Sequence, residues 1–285
     1  MKNKSSIKVF LFAVPISVPI RMSRKFGAPQ NLKLRFILGF ALSLVLTVGQ
    51  KSSAQKLDET HNILDKARIK LATKKNQAHI LMKIIEVSGE VKTRELDLAT
   101  MQMPNGFEAL ARMTAPADNK GTALLAVVEK GEQRQWIYLP SNKQVRRVAS
   151  VNKSSGLLGS ELSPEDLNPD ALKGAEVKLI KKDDHGAVIQ LTPATGTSEY
   201  SKVLTYFSFP ENLPQKSEYF RGEVVEKTVE FLDYKVFESS IYRAQKIHIK
   251  NVAKGRGTDI ELSNIKVNAK LSEKDFTPEA LKENW

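Results

Sequence analysis

The sequence predicts a mainly β protein of the α+β class, in which one large antiparallel sheet curls on itself. After Lys75, apolar and polar residues alternate with a period of two over most of the remaining chain. Turn signals that contain Gly, Asn or Pro separate the alternating runs, so about a dozen consecutive strands are expected. No change in composition marks a second domain. A sheet of that size tends to curl, and a helix can then cover its open mouth.

The first 54 residues predict a targeting segment that is absent from the mature protein. Basic residues between positions 24 and 35 precede an uncharged apolar run at 36–48, and small residues follow at 52–54, as in a secretory signal peptide. The run would rise only about 20 Å as a helix, so an uncleaved membrane anchor is the less favoured alternative. Met22 opens a signal sequence of its own and is the expected start, with a bipartite address that includes residues 1–21 as the alternative. The mature chain is then expected from Gln55, outside the cytoplasm.

The net charge is concentrated in this same segment. The chain has 44 Lys and Arg against 32 Asp and Glu, a formal charge of +12. Nine of the basic residues and none of the acidic ones lie in residues 1–54, which leaves a net charge of +3 for the rest. Such a body offers no broad positive field, so no nucleic-acid partner is expected. The absence of Cys excludes disulfides, thiolate metal sites and a Cys nucleophile.

The predicted elements follow from local patterns. A helix is expected over 55–75, because Leu57, Leu64, Ala67 and Leu71 fall on one face. Strands are expected at 78–87, 91–101, 107–113, 123–128, 132–139, 144–149, 176–182, 187–191, 202–209, 216–220, 224–234, 244–252 and 259–269.

Three further features refine this pattern. The apolar phase slips in the last strand, which predicts a β-bulge near Ser263 and Asn264. Ser163 and Thr277 each precede Pro and acidic residues, and this order predicts the N-termini of two short helices. The long connection at 150–174 is typical of a lid or binding loop.

No catalytic constellation is apparent in the sequence. It contains no G-x-S-x-G elbow, no H-E-x-x-H and no P-loop. His61, His79, His185 and His248 lie at no metal-ligand spacing, so each is expected to be a surface or turn histidine. Asp183 to Gly186 is best interpreted as a hairpin turn. We therefore expect neither an enzyme nor a cofactor or metal.

The hairpin at 135–148 allows two interpretations. Trp136 and Tyr138 share one face of the first strand and can simply pack in a core. Alternatively, the aromatic rings line an apolar cavity, and Arg146 or Arg147 lies at its rim to bind an anionic headgroup. Neighbouring residues on a strand point in opposite directions, so at most one of these arginines faces the cavity, and Arg146 is the candidate.

A second pair of apolar residues lies in the long connection. Leu157 and Leu158 stand between two glycines in an otherwise polar loop. They either tuck under the loop or form a flexible apolar lid that contacts a lipid or a partner. Phe207, on an alternating strand, is a further candidate for the lining of a cavity.

These stretches together resemble a known family. W-x-Y-L-P at 136–140, V-R-R-V at 145–148 and G-S-E-L-S-x-E-D-L at 159–167 resemble the outer membrane lipoprotein-sorting protein family, the LolA-like group. The resemblance covers roughly residues 57–283.

The resemblance implies that residues 55–285 form a half-open antiparallel β-barrel of about 11 strands with a helical lid. It implies a periplasmic carrier that shelters acyl chains of a lipoprotein or lipid and transfers them toward the outer membrane, without covalent chemistry. An inner-membrane donor complex and an outer-membrane acceptor would then be its partners. The alternative is a periplasmic sensor or regulator that recognises an envelope protein with the same barrel. The ligand-binding candidates are Trp136, Tyr138, Arg146, Leu157, Leu158 and Phe207.

Overall fold

The structure is a computed structural model that describes residues 53–283, except 105, 130–131, 149–155, 164–165, 167–171 and 173. The predicted targeting segment up to residue 52 lies outside the described residues, as does most of the short helix predicted after Ser163. The described part of the chain contains no helix long and apolar enough to cross a membrane.

In the described part of the chain, one α-helix is followed by thirteen strands. Helix α1 spans Ser53–Leu71, where a helix is predicted. The strands are β1 Lys75–Ile85, β2 Val91–Met103, β3 Gly106–Ala115, β4 Ala123–Glu129, β5 Glu132–Leu139, β6 Gln144–Arg147, β7 Glu176–Lys182, β8 Gly186–Thr192, β9 Lys202–Ser208, β10 Leu213–Arg221, β11 Val224–Phe237, β12 Ile241–Asn251 and β13 Arg256–Val267. Short 3₁₀ helices span Ala117–Asn119, Leu157–Gly159, Glu273–Phe276 and Glu279–Lys282.

All thirteen strands form one antiparallel sheet. Its order is β6-β5-β4-β3-β2-β1-β13-β12-β11-β10-β9-β8-β7. The first and last strands of the chain pair at the centre, and β6 and β7 are the two edges. The sheet is therefore not closed into a barrel, and the expected number of about 11 strands is wrong. The sheet has more strands than that number because each alternating run in the sequence corresponds to a strand.

The sheet nevertheless curls around a common interior. A flat sheet of this many strands would be roughly 60 Å wide, whereas a helix of the length of α1 spans about 28 Å. One face is still buried from β3 across the centre to β8, with Ala109, Ile80 and Ile189 at most 4% exposed. Helix α1 contacts β7, β10 and β12 over this face. Because α1 alone is too small to cover it, the sheet must bend to bury the rest.

The two faces carry separate apolar clusters. The concave core joins the apolar side of α1 to alternate residues of β1–β4 and β7–β13. The convex core lies on the opposite face of β2–β5 and is covered by the C-terminal 3₁₀ helices, which contribute Phe276 and Leu281. The helix predicted after Thr277 is confirmed as the second of these, a 3₁₀ helix.

The predicted bulge in the last strand is also confirmed. Gln77 pairs with Lys266 and His79 with Ser263, so β13 has one more residue than β1 at this point. Asn264 adopts a left-handed conformation with φ of 50°. The extra residue restores the inward direction of the apolar side chains after the slip, which is the purpose of a bulge at such a site.

Candidate functional site

The concave core is the largest apolar region of the described residues. Strand alternation directs apolar side chains inward along each strand, for example Ile80, Met82 and Ile84 on β1. Helix α1 faces them with Ile63, Leu64, Ala67 and Leu71, all at most 4% exposed. An apolar surface that the helix, rather than another sheet, keeps from water is a candidate surface for an apolar ligand.

Polar contacts fix α1 on this surface only weakly. The Lys182 ammonium lies 2.5 Å from the Glu59 carboxylate, and Lys70 lies 3.2 Å from Glu211. These side chains are partly exposed, and such ion pairs contribute about 0–1 kcal/mol each. Most of the attachment of α1 is therefore apolar contact with the sheet, which another apolar group could replace.

A groove opens beside α1 at one end of the sheet. It has a volume of about 700 Å³ and lies between α1 and the turns that join β7 to β8 and β9 to β10. Most of its lining residues are polar, and its apolar residues are Ile63, Phe209 and Pro210. The groove leads to the place where the apolar side of α1 meets the sheet.

A short segment, which we call the docked segment (residues 156–163 and Asp166), lies against the same core. Leu157, Leu158 and Leu162 are partly buried against the concave core. Leu158 adopts a left-handed backbone conformation with φ of 54°, which is unusual for a residue with a bulky side chain. The segment therefore covers part of the concave face with apolar side chains, in addition to α1.

The Asp166 carboxylate anchors this segment to the sheet. One oxygen lies 2.6 Å from the Lys227 ammonium, and the other accepts bonds from the Ser163 backbone N–H (2.7 Å) and hydroxyl (2.8 Å). The side chains of Lys227 and Asp166 are 2% and 9% exposed. The Lys227 ammonium also lies 5.1 Å from the ring centre of Tyr200 and 4.6 Å from that of Tyr219. Burial alone would lower the pKa of Lys227, but Asp166, together with Tyr200 and Tyr219, outweighs burial and raises that pKa above its ordinary value.

Glu161 supplies a second anchor. Its carboxylate lies 2.9 Å from Arg256 and accepts a hydrogen bond of 2.7 Å from the Asn251 amide. Its backbone N–H donates to the Thr258 hydroxyl at 2.9 Å. Two buried carboxylates of the docked segment thus meet cationic and polar groups on β11, β12 and β13. Residues 159–167, which carry part of the family resemblance, contain both.

The structure brings only some of the predicted site residues together. Leu157 and Leu158 pack against the concave core, to which Phe207, 3% exposed, also belongs. Trp136 and Tyr138 share a face of β5, as expected, but they pack against the convex core on the other side of the sheet. The two groups cannot line one cavity, because they lie on opposite faces of the sheet.

Arg146 and Arg147 lie on opposite faces of the edge strand β6. Arg146 pairs with Ile137, on the concave side, where its guanidinium is exposed and bonded to Gln144. Arg147 pairs with Trp136 and lines a convex groove of about 580 Å³. The two arginines therefore point in opposite directions, so at most one of them can face the concave interior.

The buried pair of Lys227 and Asp166 was not anticipated from the sequence. The sequence pattern accounts for Asp166 as part of a helix N-terminus, and the bonds that its carboxylate accepts from Ser163 fit that interpretation. A signal for Lys227 exists, because it takes the inward phase of β11 together with Val229 and Phe231. A lysine at an inward position of a strand requires a buried partner, but the sequence does not indicate which one.

Burial shifts the pKa values of two further groups among the described residues. Arg243 is fully buried beside Thr73 and Asn76, and burial lowers its pKa to about 10. Glu108, on the convex face, has its pKa raised to about 7 by burial and by the nearby carboxylates of Glu273 and Glu129. Among the described residues, no three His, Asp or Glu side chains are placed to hold a metal ion.

Comparison with known proteins agrees with the fold. Residues 107–283 match the model of a protein family described as uncharacterized, over more than half of the chain. No curated protein sequence matches the chain.

Three solved structures share the fold. A putative outer membrane lipoprotein-sorting protein domain from Vibrio parahaemolyticus is 25% identical, with a TM-score of 0.69 over 81% of this chain and 100% of that one. A DUF1329 family protein from Desulfovibrio piger is 20% identical, with a TM-score of 0.69 over 79% and 99%. A LolA superfamily protein from Nitrosomonas europaea is 18% identical, with a TM-score of 0.61 over 78% and 98%.

Proposed function

We propose that the chain, which belongs to the protein family whose model it matches and resembles outer membrane lipoprotein-sorting proteins of the LolA-like group, is a periplasmic carrier of acyl chains. It shelters the acyl chains of a lipoprotein or lipid against its concave core and transfers them toward the outer membrane. No covalent step is needed. A donor complex at the inner membrane and an acceptor at the outer membrane give the transfer its direction, since a carrier alone only equilibrates its cargo.

One observation carries the proposal. The apolar face of the curled sheet is covered by two elements outside the sheet, α1 and the docked segment, and α1 is attached chiefly by apolar contact. An acyl chain that takes the place of Ile63, Leu64 and Leu71 exchanges one apolar surface for another. The curled sheet then serves as the walls of the binding site and α1 as its removable cover.

The energetic need for a carrier is large. Exposure of an acyl chain costs about 0.8 kcal/mol per CH₂ group, or roughly 12 kcal/mol for a 16-carbon chain. Bare chains therefore do not cross an aqueous compartment at a useful rate. A protein surface that excludes water from the chain removes most of that cost.

Lipid extraction tests the proposal directly. The purified protein is extracted with organic solvent, and the extract is analysed by mass spectrometry. We expect acyl lipids in the extract, and we expect added lipoprotein to displace a bound fluorescent fatty acid. Protein that carries no lipid, takes up no fatty acid and captures a single envelope protein would instead support the sensor or regulator.

A crosslink tests the role of α1. The chain has no Cys, so Glu59→Cys with Lys182→Cys places a single thiol pair across the contact between α1 and β7. A short bifunctional thiol crosslinker should block fatty-acid uptake. The same variant without crosslinker should bind normally. The control is Glu129→Cys with Arg134→Cys. In the natural protein these two side chains form an ion pair at 2.8 Å on strands that α1 does not cover, so the variant should bind fatty acid with or without crosslinker. Uptake that survives the α1 crosslink would show that the helix is not the cover.

A further inference from the structure

The strongest unexplained feature inside the concave face is the cation of Lys227. It projects from the inward side of β11, is almost completely buried, and is flanked by the rings of Tyr200 and Tyr219. Its carboxylate partner comes not from the sheet but from the docked segment, 61 residues earlier in the chain. The cation thus belongs to the sheet, whereas its carboxylate partner belongs to the docked segment that covers the sheet.

This arrangement constrains how the cover can move. A buried cation whose carboxylate partner leaves is strongly disfavoured unless another anion replaces it. A neutral ligand that displaces the docked segment leaves Lys227 without a counter-charge. A ligand with its own anionic group restores the ion pair.

The surroundings of Lys227 suit such an anion. Two adjacent aromatic rings and a low exposure strengthen a charge-assisted bond at this cation. Asn251 and Thr258, which now bond Glu161, lie on the neighbouring strands β12 and β13 and offer an amide and a hydroxyl. Lys227 and Asn251 are directly paired across β11 and β12, so their side chains share the concave face.

We propose that Lys227, with Asn251, forms a binding site for the anionic head of an acyl amphiphile, and that Asp166 of the docked segment occupies this site when no cargo is bound. This inference rests on the proposed function and narrows it to a class of cargo. The cargo carries a carboxylate or a phosphate next to its acyl chain. Acyl groups held only in esters and amides lack that charge.

The chain contains a matched control for Asp166. Asp275 accepts bonds from the Ser272 backbone N–H at 2.6 Å and from the Ser272 hydroxyl at 3.1 Å. Asp166 makes the same two bonds with Ser163 but also pairs with Lys227. Asp275→Asn therefore weakens a comparable cap on an exposed part of the chain and leaves the buried pair intact.

The test compares ligands that differ only in charge. Displacement of a fluorescent fatty acid from the full protein is measured with hexadecanoic acid, hexadecanol and a hexadecyl phosphate monoester. We expect the acid or the phosphate ester to displace it at a concentration at least about tenfold lower than the alcohol. The more effective of the two identifies the head as carboxylate or phosphate. Acetate and inorganic phosphate, which lack the chain, should not displace it.

Variants then test whether the preference for an anionic ligand depends on Lys227 and Asp166. Asp166→Asn should raise the affinity for the acid about tenfold and that for the alcohol by less, because the internal competitor is lost. Asp275→Asn should change neither. The double variant Lys227→Met with Asp166→Asn leaves no unpaired charge at this site, so it should fold and should bind acid and alcohol equally.

Three outcomes would overturn the inference. They are a natural protein in which neither the acid nor the phosphate ester is more effective than the alcohol, a preference for the anionic ligand that survives in the double variant, and displacement by free acetate or phosphate as effective as by the anionic ligand. If neither acid nor alcohol binds, the proposed function itself fails. Binding of both without preference overturns the anion site alone.

Discussion

The two faces of the sheet are covered in different ways. On the concave face, carboxylates of the docked segment reach cations of the sheet, as Asp166 does with Lys227. On the convex face, a cation of the sheet, Arg112, donates to the backbone carbonyls of Ala280 (3.4 Å) and Leu281 (3.1 Å) in the C-terminal 3₁₀ helix. Another anion can replace a carboxylate, but an apolar ligand cannot replace carbonyl groups that belong to the helix. The docked segment on the concave face can therefore be displaced by a ligand, whereas the C-terminal 3₁₀ helices on the convex face should remain in place.

The same substitution of a buried leucine in each cover gives the strongest test of the difference between the two faces. Leu71 of α1 and Leu281 of the C-terminal helix are both fully buried. Leu71→Ala and Leu281→Ala should each lower the free energy of unfolding by about 2–5 kcal/mol, measured by urea denaturation. Only Leu71→Ala should also change the displacement of a fluorescent fatty acid. An equal change in ligand binding for both variants would contradict separate roles for the two faces.

Trp136 tests the convex face at a residue that the sequence offers as a cavity wall. Its ring is partly buried against the convex core, so Trp136→Ala should cost about 2 kcal/mol, less than the 3–5 kcal/mol of a fully buried ring. Fatty-acid binding should stay unchanged. Phe207→Leu, on the concave face, is the comparison variant and should alter that binding. Weaker fatty-acid binding by Trp136→Ala would place the ring in the binding surface.

Glu108 gives the convex face a pH dependence. Its pKa in the folded protein, about 7, lies above the ordinary value of 4.5, so the folded state binds this proton more tightly than the unfolded state. The resulting stabilisation is present below pH 4.5 and is lost as the pH rises through about 7. After allowance for solvent screening, the loss is about 1–2 kcal/mol.

The measurement is the difference in unfolding free energy between the natural protein and Glu108→Gln, from pH 4 to pH 8. The variant should remove the dependence contributed by this group, and the difference curve should fall between pH 4.5 and 7. Fatty-acid binding at each pH should be the same in both proteins, since Glu108 lies on the convex face. A flat difference curve would show that Glu108 titrates as it does in water.

Much of the fold could be predicted because strand formation is governed by local alternation. Each run with a period of two became a strand, and the slip before Ile265 became the bulge at Asn264. The turn at Asp183 was likewise predictable, because its side chain accepts bonds from the N–H groups of His185 and Gly186. These features depend on residues that are close in the sequence.

The candidate site was predicted less well. Leu157 and Leu158 were identified because two leucines in a polar loop require cover, and the structure places them on the concave core. Trp136 and Tyr138 are predicted to share a face, because alternation tells which residues of one strand point in the same direction. It does not tell whether that face is the concave or the convex one.

The sequence by itself determined where the strands lie and which residues of each strand share a face. It also determined that apolar residues occur on both faces. The tertiary structure decided that β6 and β7 remain unpaired edges, that α1 lies over the concave face, and that Asp166 meets Lys227. The physical reason is the range of the forces involved. Alternation and turns are fixed by neighbours within a few residues, whereas curvature and buried ion pairs depend on how distant segments share one limited, water-free volume.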